Sequence, residues 1–306
     1  MTLMTAQFRR IALIGFGEAG GILGEDLSRS GREVAAYDIL LDAPATRAPM
    51  LAKASGAGVR PCDSARQAMA GAELVISAVT ASAATEVAVA AAAVLRPGQL
   101  LLDINSVSPG TKLAGARAVE PCGADYVEAA VMAPLPAQRL AVPMLLGGPR
   151  AAEAAEALRA LGFNAQAISD RIGVASAVKM CRSVVIKGIE ALAVESLFAA
   201  RRFGAEREVL ASLERTFPSM GWEGALPDYL VSRVAEHGRR RAAEMREVAL
   251  TLQGVGLDPL MASATAERQD WTVQAMQAQG IEYPRLGKFS WRALADALAK
   301  VESEPI

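Results

Sequence analysis

Histidine occurs once in this chain, and its three cysteines, Cys62, Cys122 and Cys181, stand far apart with no Cys-x-x-Cys spacing. So few scattered ligands build neither a zinc cluster nor a disulfide framework, so all three thiols are expected reduced and no metal site is expected. An excess of either charge is also missing. Lys and Arg number 32 against 33 Asp and Glu, a formal charge of -1, which leaves no basic field to hold nucleic acid or an acidic membrane. No run reaches the roughly 18 apolar residues of a membrane span. The opening MTLMTAQFRR has no apolar core of signal-peptide length, so the cytoplasm is the expected compartment. Aromatics are only 5% of the chain, and the apolar excess is carried by Ala, Val and Leu, which suits helices packed tightly on a sheet.

What the chain does have is length and apolar content. With 306 residues, 52% hydrophobic and 21% charged, it can bury a large core, and at about 150 residues per domain it should form about two domains. Up to about residue 168, short apolar runs alternate with Ala-rich segments of helical period, the pattern of βαβ units and a parallel sheet. Strands are expected at IALIG (11–15), EVAAYD (33–38), ELVISAV (73–79), LLLDI (100–104), YVEAAV (126–131), PMLLGG (143–148) and NAQAI (164–168). From Asp170 onward the strand signal stops, and helical text is broken only by Phe217-Pro218, Gly254 to Gly256 and Tyr283-Pro284. Ile172 to about Arg201 reads as one long helix passing from a first domain, 1–170, into a second, 171–306.

The strongest local motif is IALIGFGEAGGILGEDL, in which Gly15, Gly17 and Gly20 form Gly-x-Gly-x-x-Gly between a strand and a helix. Gly15 permits the tight turn, Gly17 lets backbone approach a pyrophosphate, and Gly20 lets the helix pack on its strand. Gly15, Phe16, Gly17, Glu18, Ala19 and Gly20 are therefore candidate cofactor contacts, with the phosphates at the helix N-terminus. Asp38, eighteen residues beyond Gly20, ends the second strand, where a carboxylate takes both hydroxyls of an adenosine ribose and repels a 2'-phosphate. NAD is expected in preference to NADP, with Arg47 able to temper the preference. Val79 and Thr80, ending ELVISAV, fall where such a sheet meets the cofactor's ribose and phosphates. The expected fold is α/β, a Rossmann-type doubly wound sheet followed by an all-α domain joined by a long interdomain helix.

Further segments resemble the β-hydroxyacid dehydrogenase family, which includes 3-hydroxyisobutyrate and 6-phosphogluconate dehydrogenases, and the resemblance runs over nearly the whole chain. DINSVSPGTK (103–112) is similar to that family's D-x-S-[ST]-x-x-P element between nicotinamide and substrate, with Asn105 at its first hydroxyl position and Ser106 at its second. GVASAVKMCRS (173–183) resembles the Gly-then-Lys element and puts Lys179 at the family's catalytic lysine. The stretch from His237 to Trp271 resembles a subgroup of 6-phosphogluconate-dehydrogenase-like proteins with an unassigned helical C-terminal domain. The chain also departs from the family. Met132, Ala133 and Pro134 replace the substrate-clamping S-G-G, and Ser183 stands where an asparagine is usual.

The resemblance implies an NAD-dependent dehydrogenase of a small β-hydroxy acid or related hydroxyl-bearing substrate, acting as a homodimer. Lys179, in an Ala-rich helix, would serve as general acid/base, since desolvation lowers an ammonium's pKa toward working pH. Ser183 and Lys187 follow at i+4 and i+8. Lys187 reads equally well as a surface charge paired with Glu190. The run from His237 through Arg239, Arg240 and Arg241 to Glu244 and Glu247 reads first as a solvated face. Alternatively His237 or one of the arginines binds an anionic group in its own or a partner subunit's site. Ser106, Met132, Ser183, His237 and Arg241 are the candidate substrate contacts. An imine or ketone reductase on the same scaffold and a non-catalytic NAD(H)-binding protein are the rival readings. Trp222, Trp271 and Trp291 are expected to seal helix packing or a dimer surface.

Overall fold

A computed structural model describes residues 8–283 and 289–299; the opening segment 1–7 and Pro284 of the Tyr283-Pro284 break lie outside them. The chain divides into two compact units, Met1–Met180 and Cys181–Ile306. The division falls within a single helix, Val174–Arg202, ten residues beyond the boundary near residue 170 that the change of pattern suggests.

The first unit is an eight-stranded sheet. Its strands are β1 (Arg10–Ile14), β2 (Glu33–Tyr37), β3 (Arg60–Pro61), β4 (Leu74–Ser77), β5 (Leu100–Asp103), β6 (Asp125–Val131), β7 (Pro143–Gly147) and β8 (Asn164–Ser169). They lie in the order β3-β2-β1-β4-β5-β6-β7-β8. The order reverses between β1 and β4, the switch point at which doubly wound sheets open a crevice at the carboxyl ends of their strands. Around the sheet run α1 (Glu18–Arg29), α2 (Pro44–Gly56), α3 (Ala65–Met69), α4 (Ala84–Ala92), α5 (Pro109–Val119), α6 (Leu135–Gln138), α7 (Ala151–Ala160) and the start of α8 (Val174–Arg202). Every residue of β4 and β5 is buried, because helices cover both faces. Successive side chains serve opposite cores: Leu74, Ile76, Leu100 and Leu102 pack into one, Val75 and Leu101 into the other.

Two features differ from the expected parallel sheet. β7 runs antiparallel to β6, and β8 then runs parallel to β7. The eleven residues between Val131 and Pro143 hold only the four-residue α6 and a short 3-10 turn, too little for the crossover helix that a parallel return requires. The second feature is β3, whose two residues are too few to show a period; its Pro61 is tolerated because β3 is an edge strand.

In the second unit the remainder of α8 is joined by α9 (Glu206–Thr216), α10 (Leu226–Gln253), α11 (Leu260–Ala278) and α12 (Trp291–Ala299), with no strand among the described residues. Gly238 lets α11 approach α10: a Cβ there would stand 2.6 Å from Val273 Cγ2 and 2.8 Å from the Gln269 carbonyl oxygen. Val194, Leu197, Phe198, Trp222, Val231, Val234 and Trp291 form the core of this unit. Among the described residues, no helix is long and apolar enough to cross a membrane.

Candidate active site

The three glycines of the first loop serve different neighbours. Gly15 adopts φ +92°, and a Cβ on it would strike the Ala78 carbonyl; a Cβ on Gly20 would strike the Gly15 carbonyl. Both are explained by packing inside the protein. A Cβ on Gly17 would meet nothing within 4 Å among the described residues, so space is left open there, at the N-terminus of α1. That opening, beside the first turn of a helix whose N-cap makes no side-chain hydrogen bond, fits a pyrophosphate.

Asp38 and Lys53 hold this loop in shape. Asp38 Oδ2 accepts from Phe16 N at 2.6 Å, and Oδ1 accepts from Leu40 N at 2.9 Å. The Phe16 ring is buried in the core. Lys53, on α2, donates from Nζ to the Phe16 and Gly17 carbonyls, each at 2.7 Å. Sequence reasoning missed Lys53, which carries no local signal and lies 37 residues from Phe16. Arg47 donates to the Leu41 carbonyl and pairs with Asp63 at 2.5 Å.

The ends of β4 and β5 are joined by one buried amide. Asn105 Oδ1 accepts from Val79 N at 2.7 Å, and Nδ2 donates to Ser77 Oγ at 2.9 Å. The Asn105 side chain thus sets the backbone at Val79 and Thr80. Its own N–H donates to Asp103 Oδ1 at 2.9 Å. Lys112 Nζ donates to Asp103 Oδ1 and to the Asp103 carbonyl, both at 2.8 Å, and Tyr126 OH donates to Oδ2 at 2.6 Å. Burial, reinforced by the Asp103 charge, pushes the Tyr126 phenol far above its ordinary pKa. Next in the chain, Ser106 Oγ is shielded from solvent and has no hydrogen-bond partner among the described residues, an arrangement that carries a desolvation cost.

Helix α8 begins against this segment. Gly173 has φ +100°, and a Cβ on it would stand 3.3 Å from Pro109 Cβ, at the start of α5. The two stretches that carry the resemblance, 103–112 and 173–183, therefore meet in space. Glu128, fully buried on β6, accepts at Oε1 from Gly173 N (2.6 Å) and Ala175 N (3.0 Å). Its Oε2 accepts from Ser176 N (3.3 Å) and Ser176 Oγ (2.8 Å). Lys179, half-buried, lies three residues past Ser176. Met132 is half-buried just beyond β6, with its N–H donated to the Pro143 carbonyl at 2.8 Å.

Ser183, Lys187, His237 and Arg241 belong to the second unit. Lys187 is not the surface charge paired with Glu190 that the one-helix reading allowed. It is buried, donates to Ser183 Oγ at 3.0 Å and pairs with Glu244 at 2.9 Å. Glu190 is taken instead by Arg241 at 2.5 Å. Arg239 and Arg240 are exposed, as a solvated face requires, while Arg241 turns inward. His237 lies 3.3 Å from Glu236; burial and then Arg233 hold its imidazole below the usual value. Trp222 and Trp291 are core residues, and Trp271 lies under the Arg268 guanidinium at 4.9 Å.

Residues 10–168 match the NAD binding domain of 6-phosphogluconate dehydrogenase, and residues 200–272 match a domain of unknown function designated DUF1932. A conserved hypothetical protein from Sinorhizobium meliloti is 38% identical, with 97% of this chain and 98% of the other covered at a TM-score of 0.78. The chain belongs to the β-hydroxyacid dehydrogenase-like family. A second protein of unknown function, described as structurally similar to 3-hydroxyacid dehydrogenases, is 32% identical over 89% of this chain and 99% of its own, at a TM-score of 0.69. Mycobacterium tuberculosis 3-hydroxyisobutyrate dehydrogenase shares the fold at 17% identity, 94% and 98% coverage and a TM-score of 0.70. A β-hydroxyacid dehydrogenase-like protein is a nicotinamide-dependent oxidoreductase, and the opening at Gly17 and the carboxylate at Asp38 fit that cofactor.

Proposed function

We propose that the protein is an NAD-preferring dehydrogenase of a small β-hydroxy acid or related hydroxyl-bearing substrate, with Lys179 as general acid/base. The observation that carries this reading is the meeting of the Ser106 segment with the start of the Lys179 helix, at Pro109 and Gly173. The nicotinamide, when bound, supplies the hydride chemistry. Asp38 takes the ribose hydroxyls, its charge opposing a 2'-phosphate, and the face beside Gly17 takes the pyrophosphate. Val79 and Thr80, set by Asn105, flank the cofactor. The unpartnered Ser106 hydroxyl orients the carbinol oxygen. The neutral Lys179 amine accepts the carbinol proton as hydride leaves carbon, and the ammonium returns it in the reverse direction.

Met132, Ser183, His237 and Arg241 complete the substrate contacts in this reading, with the first unit as cofactor domain and the second as the substrate and dimerisation domain of a cytoplasmic homodimer. The test is absorbance of reduced nicotinamide with NAD and, separately, NADP, over a panel of β-hydroxy acids, aldonates and 1,3-diols, with Lys179→Ala beside wild type. We expect turnover with NAD that falls by about 10²–10⁴ in Lys179→Ala at unchanged cofactor affinity. Cofactor binding without turnover of any alcohol would overturn the reading in favour of imine reduction or cofactor sensing.

A further inference from the structure

We propose that Glu128, with Gly147 opposite it, is a positioning residue that fixes the place of Lys179 by holding the first turn of α8. The proposal rests on the role given to Lys179 above. Gly173 is the residue before the helix and has no side chain to cap it, so the amides that a serine or aspartate there would satisfy are left open. Glu128 satisfies them from a strand 45 residues earlier, taking Gly173 N, Ala175 N, Ser176 N and the Ser176 hydroxyl. A local cap would end the helix without saying where the helix must lie. A cap from β6 sets both its origin and its rotation against the sheet. Lys179 follows Ser176 at i+3, on the same face and roughly 4.5 Å along the axis, so slippage of the first turn would carry the amine with it.

The carboxylate occupies space reserved for it. In the antiparallel register Glu128 faces Gly147, where a Cβ would stand 2.5 Å from Glu128 Oε1 and 3.0 Å from the Arg171 carbonyl. Among the described residues Glu128 has no ion pair; its charge is balanced by N–H groups at the positive end of the helix. A change in either residue of this pair should therefore reach Lys179.

Because the substrate class is itself under test, the experiment uses a chemical probe as well as turnover. Full-length wild type, Glu128→Gln, Glu128→Asp and Gly147→Ala are labelled with limiting acetic anhydride. Acetylation of Lys179 is then read by mass spectrometry against Lys53 and Lys187 of the same molecule, alongside amide exchange over 173–179. We expect Lys179 acetylation to rise at least threefold and amide exchange at least tenfold in Glu128→Gln, with kcat down tenfold or more and KM for NAD unchanged. Gly147→Ala, which leaves every charge in place, should reproduce the effect, and Glu128→Asp should restore part of it. A Glu128→Gln protein of lower melting temperature whose Lys179 labelling and kcat match wild type would overturn the proposal. Should Glu128→Gln not fold, unchanged Lys179 labelling in Gly147→Ala would do the same. If Lys179→Ala keeps full turnover while Glu128→Gln still alters Lys179 labelling, the catalytic reading falls and the positioning stands.

Discussion

Glu128 in the sheet unit and Glu190 in the helical unit are both almost wholly buried carboxylates, and they are held in opposite ways. Glu128 is bound by three backbone N–H groups and a hydroxyl, with no cation among the described residues. Glu190 is bound by the Arg241 guanidinium, with Lys187 and Arg233 contributing charge. The difference follows from where each architecture leaves its backbone donors. At the ends of strands, chain reversals and helix starts leave amides unpaired and facing one edge of the sheet. A helical bundle spends its amides inside its helices, so a charge buried there must find a side chain of opposite sign. The sheet unit thus keeps donors for an anionic ligand, whereas an anionic substrate reaching Arg241 has Glu190 as a competitor.

The comparison breaks most visibly if the Glu190 pair is cut. Arg241→Met should cost about 3–5 kcal/mol in urea unfolding, because it leaves a buried carboxylate without its partner. The Glu190→Leu/Arg241→Met double variant should regain most of that loss. The pH dependence carries the same information. Burial raises the Glu190 pKa above 4.5 even with the cations beside it. The folded state therefore keeps a proton that the unfolded chain releases. Its contribution to stability is complete below pH 4.5 and is lost as pH rises through the raised value. Glu190→Gln should remove that decline, and an unchanged pH profile would show the pair to be better solvated than Glu128.

A smaller effect separates packing from ligand binding within the sheet unit. Gly20→Ala should destabilise by about 1–3 kcal/mol, since the added methyl meets the Gly15 carbonyl and α1 must shift. Gly17→Ala should leave the melting temperature where it is and weaken nicotinamide nucleotide binding at least tenfold, read by calorimetric titration. Equal loss of stability in both variants would mean that the Gly17 face is not a ligand surface.

Much of the sheet unit is legible because its signals are local: short apolar runs, glycine spacing and a carboxylate at a strand end. All seven expected strands form, each within a residue or two of its expected limits. The antiparallel β7 departs from the expected parallel sheet, and the eleven-residue link before Pro143, too short for a crossover helix, is the clue to it. In the sequence Glu128 stands only as one letter of YVEAAV; a lone charge in an otherwise apolar strand is the one local signal of its role. Its partners lie 45 to 48 residues away, as Arg241 lies 51 residues from Glu190, and no period or spacing links positions so distant. That is also why the run from His237 to Glu247 reads first as a solvated face, although Arg240 faces water while Arg241 faces Glu190.

Lys53 supplies the last and smallest contrast, because it inverts the arrangement at Glu128: a side-chain cation holds backbone acceptors where Glu128 holds backbone donors. Its side chain is exposed, so Lys53→Met should change stability by no more than about 1 kcal/mol. Without the two bonds to Phe16 and Gly17, the loop samples other shapes, and nucleotide must restore the one that binds. A loss of affinity of about threefold to tenfold, equal for NAD and NADP, is the signature of that cost. A loss confined to NADP would mean that Lys53 meets a 2'-phosphate directly, and would weaken the preference assigned to Asp38.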